Sequence, residues 1–277
     1  MLPSPSSRVA LGLALTPVLV AAAGPLAPRV ALAEGTAYAL AFVCAVTVTA
    51  LGVALAASGD VSGRVQGALV AAATATLGAL GVVGVRGLGG ALAVDAALVV
   101  VGWGVGTAIG RRVEHAGHLL PATVVAASAD VVSIVSPHGV THAIVRSERA
   151  LSLLAVSFPL AGTTEIAPAL GAGDLVFIGV VLGAARAHAL PYARAVALCI
   201  VGALAAGGLS FALQAEVPAL PTIGAAVIVG LPAARRLRRR DLTTATAAIA
   251  LSLTLAAATL ASRFGWPTGT RVESGAP

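Results

Sequence analysis

The chain predicts an all-α, polytopic transmembrane helical bundle of about nine spans, on three observations. Hydrophobic residues make up 58% of the 277 positions and charged residues 10%, with a mean hydropathy of +0.99. A soluble domain of that length needs far more polar surface. The apolar runs are about 20 residues long, enough to cross a hydrocarbon core, and the charges sit in short clusters between them.

The predicted spans run over about 9–27, 36–58, 65–86, 88–110, 117–136, 171–189, 192–213, 217–234 and 242–262. The first has a competing reading as a secretory signal, because Arg8 precedes the apolar run and Ala31-Leu32-Ala33 stands before Glu34 like a cleavage site. That run is long for a signal and is broken by Pro17 and Pro25, which favours a retained span. Short arginine-bearing connections at Arg29, Arg64, Arg86 and Arg111-Arg112 separate the next spans. The fourth span holds Asp95 and the fifth holds Asp130. One long connection, 137–170, follows. The sixth span opens on Gly171-Ala172-Gly173-Asp174, and the eighth opens on Pro218-Ala219-Leu220-Pro221. The arginine cluster at 235–240 precedes the ninth. The chain thus divides into N-terminal helices (1–110), a core carrying the motifs (111–234), and an arginine-rich loop, last helix and tail (235–277).

The net charge of +6 comes from arginine alone, for the chain has no lysine. The arginines cluster at the ends of apolar segments, where they orient spans, and aromatic residues are only 3%, too few for a base-stacking surface. Nucleic acid is excluded as a partner; the lipid bilayer is the expected one. An N-terminus in the cytoplasm places 11 of the 17 arginines inside, including the five of 235–240, and six outside. The alanine- and glycine-rich composition suits close helix packing and a GC-rich bacterial genome, so the expected location is a bacterial inner membrane. Cys44 and Cys199 fall within spans, far apart in sequence, and read as unreactive thiols rather than a disulfide.

Carboxylates inside a bilayer are costly unless something uses them. Nothing near Asp130 in sequence neutralises it, so its partner comes from another span. Asp174 lies one turn into its span behind two glycines, which let another backbone approach and let the helix start deform. Two carboxylates brought together share a proton. One then acts as base on a water while the other, protonated, polarises a scissile carbonyl. That chemistry needs neither metal nor covalent intermediate. Pro218 and Pro221 deprive the eighth span's start of amide donors, and irregular backbone at membrane depth is tolerated only against protein or a water-filled cavity. Such a segment suits main-chain pairing with an unwound substrate. The apolar stretch 151–160 is too short to span, and suits a strand or a lid beside the site.

Asp130 followed by Ser136-Pro137-His138-Gly139, then Gly171-Ala172-Gly173-Asp174, then Pro218-Ala219-Leu220-Pro221, resembles the presenilin and signal-peptide-peptidase family of intramembrane aspartyl proteases. The likeness covers about residues 117–234. It implies Asp130 and Asp174 as the catalytic pair, with Gly171, Gly173, Pro218, Ala219 and Leu220 shaping the site and substrate groove. It also implies hydrolysis of peptide bonds within transmembrane helices or signal-peptide remnants, with no cofactor. It does not imply a multi-subunit complex, and obligate protein partners stay unknown at this point. The chain departs from the family pattern at Ala129, where an aromatic residue is usual, and in having four predicted spans before Asp130 and one after the Pro-Ala-Leu segment. The arginine count gives the site the orientation of signal-peptide peptidases, whereas the Ser-Pro-His-Gly turn is closer to presenilin.

Each feature has a plainer reading. A single intramembrane aspartate is more often a packing or ion-pathway residue. Gly-x-Gly-Asp arises easily among 32 glycines, and Pro168-Ala169-Leu170 is a second copy of Pro-Ala-Leu. The joint order and placement at helix starts is what favours the protease. Asp95 is expected to pair with Arg86 or Arg112 at a helix end, and Glu165 to be solvated. His115 with His118, and His138 with His142, have helical spacing but no glutamate in a zinc-protease arrangement. The 235–240 arginines read as a topology determinant that also meets anionic headgroups. The alternative functions are a proton- or cation-coupled transporter using Asp95, Asp130 and Asp174, for which no internal repeat is apparent, a prepilin peptidase, which lacks a Pro-Ala-Leu segment, or a catalytically silent family member.

Overall fold

The computed structural model describes residues 4–85, 87–136 and 139–263. Eleven α-helices form among them: α1 (Pro5–Ala23), α2 (Glu34–Ser58), α3 (Gly63–Val83), α4 (Gly87–Arg112), α5 (Leu119–Val135), α6 (Val140–Val145), α7 (Glu148–Leu154), α8 (Ala172–Ala187), α9 (Tyr192–Leu213), α10 (Ala219–Gly230) and α11 (Leu242–Arg263). Two strands, β1 (Ala155–Pro159) and β2 (Ile166–Gly171), pair as an antiparallel hairpin between α7 and α8. The chain is helical, as its hydropathy predicts. Seven helices are long and apolar enough to cross a membrane.

The nine-span count is not confirmed, and the difference lies in two segments. In place of spans over 171–189 and 217–234 stand α8, with 16 residues, and α10, with 12. At 1.5 Å per residue these reach about 24 and 18 Å, against a hydrocarbon core of about 30 Å. Both begin within two residues of the expected starts and stop short of the expected ends. At one end of the bundle, contacts join the end of α8 to the ends of α2 and α4, and the start of α5 to the start of α11. Arg186 Nη1 donates to the Ala57 and Gly59 carbonyls at 2.5 and 2.6 Å, His188 Nε2 meets the Val113 carbonyl at 2.7 Å, and His118 Nε2 meets Asp241 Oδ2 at 3.0 Å. This end also carries Arg111, 4.0 Å from Asp60, and the 235–240 arginines. From it α8 and α10 rise only to the depth of Asp130 and Asp174, and the chain before each is not helical there.

Glycine sets the tightest contact, between α4 and α8. Gly102, Gly106 and Gly110 recur every fourth residue on α4 and face Gly179 and Gly183 of α8. A Cβ added at Gly106 would stand 2.7 Å from the Gly179 Cα, and one at Gly183 would stand 2.9 Å from the Thr107 Cα. The two backbones therefore touch, the arrangement that small residues four apart allow in lipid. On the far side of the core, α10 packs on α9 through Gly202 and Ile223, and on α5 through Gly224 and Thr123. Helix α11 lies against α5.

The long connection 137–170 contains α6, α7 and the hairpin. All five residues of β1 are buried. Phe158 and Leu160 join Val20, Ala37, Ala41 and Ala45 in one apolar cluster, while Val156 and Leu170 enter the main core. Burial in protein is the condition under which strand backbone survives at membrane depth. The hairpin tip is held from outside as well, since the Gly162 N–H donates to the Ala27 carbonyl at 2.7 Å and Gly162 has φ +83°, a conformation that favours glycine.

Candidate active site

Asp130 is the twelfth residue of α5, counted from Leu119, and Asp174 is the third of α8. Counted down their helices, they lie about 17 and 20 Å from the arginine-bearing end. Asp130 Oδ2 accepts the Leu220 main-chain N–H at 3.1 Å. Pro218 is the N-cap of α10 in extended conformation (φ −60°, ψ 132°), so Ala219 and Leu220 begin the helix with amides that have no intrahelical acceptor. Asp130 supplies the acceptor for Leu220. Asp174 Oδ2 accepts the Gly171 N–H at 3.2 Å, closing the first turn of α8 from its third position. That is ordinary helix-start capping by an acidic residue, and it leaves Oδ1 free for other work. Both carboxylates, from separate helices, stand beside Leu220: Asp130 takes its amide, and Gly173, next to Asp174, borders one cavity with its side chain.

The other sequence-derived residues fall around this pair. Gly171 is both the last residue of β2, opposite Ala155, and the amide donor to Asp174. Gly173 has nothing within 4 Å of where a Cβ would stand. Its surface, with the Leu220 side chain, borders a cavity of about 260 Å³ lined also by Ile109, Ala122, Ala126 and Phe177. The cavity lies between α5 and α8, the helices that carry the aspartates, and every side chain named on it is apolar. Ala219 contributes its carbonyl to the Thr222 hydroxyl, at 2.8 Å. The aspartates, the Gly-x-Gly turn and the Pro-Ala-Leu segment therefore meet in one place. Pro137 and His138 of the Ser-Pro-His-Gly turn lie outside the described residues. Ser133, just after Asp130, holds the chain beyond that turn, bonding Thr141 through its N–H and its hydroxyl, each at 2.8 Å.

Of the two arginines expected to pair with Asp95, Arg112 is corrected. Arg112 is 17 residues further along the same helix, about 25 Å away, and Arg86 lies outside the described residues. Asp95 is fully buried, and its Oδ1 accepts the Ser157 N–H of β1 at 2.9 Å. Sequence reasoning named 151–160 as a strand or lid but missed this bond; the one signal pointing to it is a buried-type carboxylate with no neighbouring cation. Glu165 is exposed at the hairpin turn. His115 and His118 have ring centroids 6.2 Å apart, but His115 Nδ1 takes the Gly117 N–H and His118 takes Asp241, so each ring already has a partner. Among the described residues no group of three or more His, Cys, Asp or Glu side chains is placed to hold a metal. Cys44 and Cys199 are free thiols.

No family model, curated protein or solved structure matches the chain.

Proposed function

We propose that this chain is an intramembrane aspartyl endopeptidase that hydrolyses peptide bonds within apolar helical segments, using Asp130 and Asp174. The observation that carries the reading is the convergence of three sequence-distant elements: Asp130 of α5 holds the first turn of α10 through the Leu220 amide, and the Leu220 side chain shares a cavity with Gly173, next to Asp174 on α8. The resemblance of these segments to presenilin and signal-peptide peptidase supports the same assignment residue by residue.

The chemistry follows from a pair that shares one proton. The ionised carboxylate takes a proton from water as the water oxygen bonds to the scissile carbonyl carbon. The protonated partner gives its proton to the carbonyl oxygen. The tetrahedral diol then collapses: the C–N bond breaks, the nitrogen takes a proton from one carboxyl, and a hydroxyl proton returns to the other. Atoms and charge balance with water as the only co-substrate. A helix hides its peptide bonds, so the substrate must be extended at the cut. Strand β2 runs directly into the Gly171–Asp174 turn, and an extended segment pairing along it is led to the aspartates. The apolar cavity between α5 and α8 receives a side chain next to the scissile bond. Its apolar walls are a poor lining for a hydrated ion, which weighs against transport.

The test is cleavage of a labelled single-span helical peptide by purified protein in detergent. Wild type should cut, and Asp130→Ala and Asp174→Ala should not. A folded wild type that cuts none of several helical peptides would sink the assignment.

A further inference from the structure

Asp95 is an intramembrane carboxylate that the dyad chemistry leaves unused. It is fully buried in α4, and no residue of α8 or α10 contributes to its one bond, which runs to the Ser157 amide at 2.9 Å. Its Oδ2 is buried without a hydrogen-bond partner. A carboxylate so placed is expensive to keep as mere packing.

The hairpin explains the bond. Along β1 and β2 the partners run Ala155 with Gly171 and Val156 with Leu170, but then Ser157 with Pro168, so Ala169 is the extra residue of a bulge. At this irregular step the Ser157 N–H donates not to β2 but to Asp95. The ladder is thus interrupted one pair from the point where β2 delivers Gly171 to Asp174. A two-stranded hairpin is marginal by itself, and a bulge weakens the pairing locally. Asp95 supplies the fixed point that the interrupted ladder lacks, from a helix that glycine contacts lock against α8.

We propose that Asp95 is a positioning residue for the protease site: through Ser157 it holds the register of the β1–β2 hairpin, and so the line along which β2 presents an extended substrate to Asp130 and Asp174. This rests on the protease reading for its kinetic consequence but not for its structural one. Asp95 does not touch the reacting atoms. Its loss displaces the hairpin, which weakens substrate docking more than it slows the chemical step.

The experiment combines peptide-cleavage kinetics with amide hydrogen exchange of the detergent-purified protein, on Asp95→Leu, Asp95→Asn and Ser157→Pro. Asparagine keeps the acceptor oxygen and leucine removes it. Proline removes the donor from the other side, at a position whose N–H the ladder does not use. In Asp95→Leu and Ser157→Pro the 155–171 amides should exchange about tenfold or more faster, with α4 and α8 as protected as in wild type. KM should rise about tenfold or more while kcat changes less. Asp95→Asn should behave as wild type in both readouts. Unchanged exchange over 155–171 in Ser157→Pro overturns the proposal, as does an Asp95→Asn that fails as badly as Asp95→Leu. A wild type that cuts nothing, with the hairpin still loosened in the variants, removes the protease reading and leaves the anchor standing.

Discussion

The Leu220 N–H and Asp130 Oδ2 lie 3.1 Å apart, joining the first turn of α10 to α5 by a carboxylate that serves as a helix cap from outside the helix. This gives Asp130 two separable roles. One oxygen holds the Pro-Ala-Leu segment; under the proposed protease chemistry the carboxyl also exchanges a proton with water.

Those roles separate under substitution. Asp130→Asn keeps an oxygen for the Leu220 amide but cannot exchange a proton with water. It should stay folded, melting within a few degrees of wild type, while cleavage falls by about 10²-fold or more. Asp130→Leu loses both roles and should melt lower as well. Asp174→Asn should match Asp130→Asn in activity. A thermal melt in detergent beside the peptide assay reads both effects; an active Asp130→Asn would remove Asp130 from the chemistry.

The α4–α8 seam predicts a contrast between glycines. A side chain at Gly106 meets α8 backbone, with the Gly179 Cα 2.7 Å from the new Cβ, and backbone cannot rotate out of the way. Gly106→Leu should cost about 3 kcal/mol or more and lower the melting temperature. Gly173→Ala, with open space around its Cβ position, should leave stability unchanged, although it borders the cavity. A Gly106→Leu protein as stable as wild type would mean that the helices do not pack as described.

Much of this was legible in residues taken one at a time. Each of the nine apolar segments is a helix, because runs of alanine, leucine and valine satisfy their own backbone in lipid. Asp130, Gly171–Asp174 and Pro218–Leu220 stood out in the sequence, since a carboxylate or paired prolines in such a run need a reason. The shortness of α10 was not legible: hydropathy continues through 217–234 whether or not the helix does, and α10 stops at Gly230. The partner of Asp95 was hidden for the same reason. Ser157 lies 62 residues away, and an apolar stretch of five residues carries no periodicity that separates strand from helix.

The cavity between α5 and α8 should govern which side chains are accepted. Ala122 and Ala126 are small residues on its α5 wall, and Ala122 is exposed, so bulk added there has room that does not disturb the core. Ala122→Trp should raise KM for peptides with a large apolar residue beside the cut, and affect peptides with alanine there less. Comparing two peptides that differ only at that residue measures this. Equal effects on both would mean that the cavity does not hold the side chain.

The Leu220 amide can be tested apart from the Leu220 side chain. Leu220→Ala removes apolar wall from the cavity and keeps the N–H. Leu220→Pro removes the N–H as well, at the second residue of α10, where helices tolerate proline because no intrahelical acceptor awaits the amide. The chain already places Pro221 immediately after Leu220, so a residue before proline is accommodated in this turn. If the bond to Asp130 sets the carboxylate's direction, Leu220→Pro should lose about 10- to 100-fold in kcat beyond the Leu220→Ala effect, the range for a hydrogen bond to a charged group. Helix content by circular dichroism should match in the two variants. Equal kcat in both would show that Asp130 keeps its orientation without Leu220, and would reassign the Pro-Ala-Leu segment from orienting the dyad to walling the cavity.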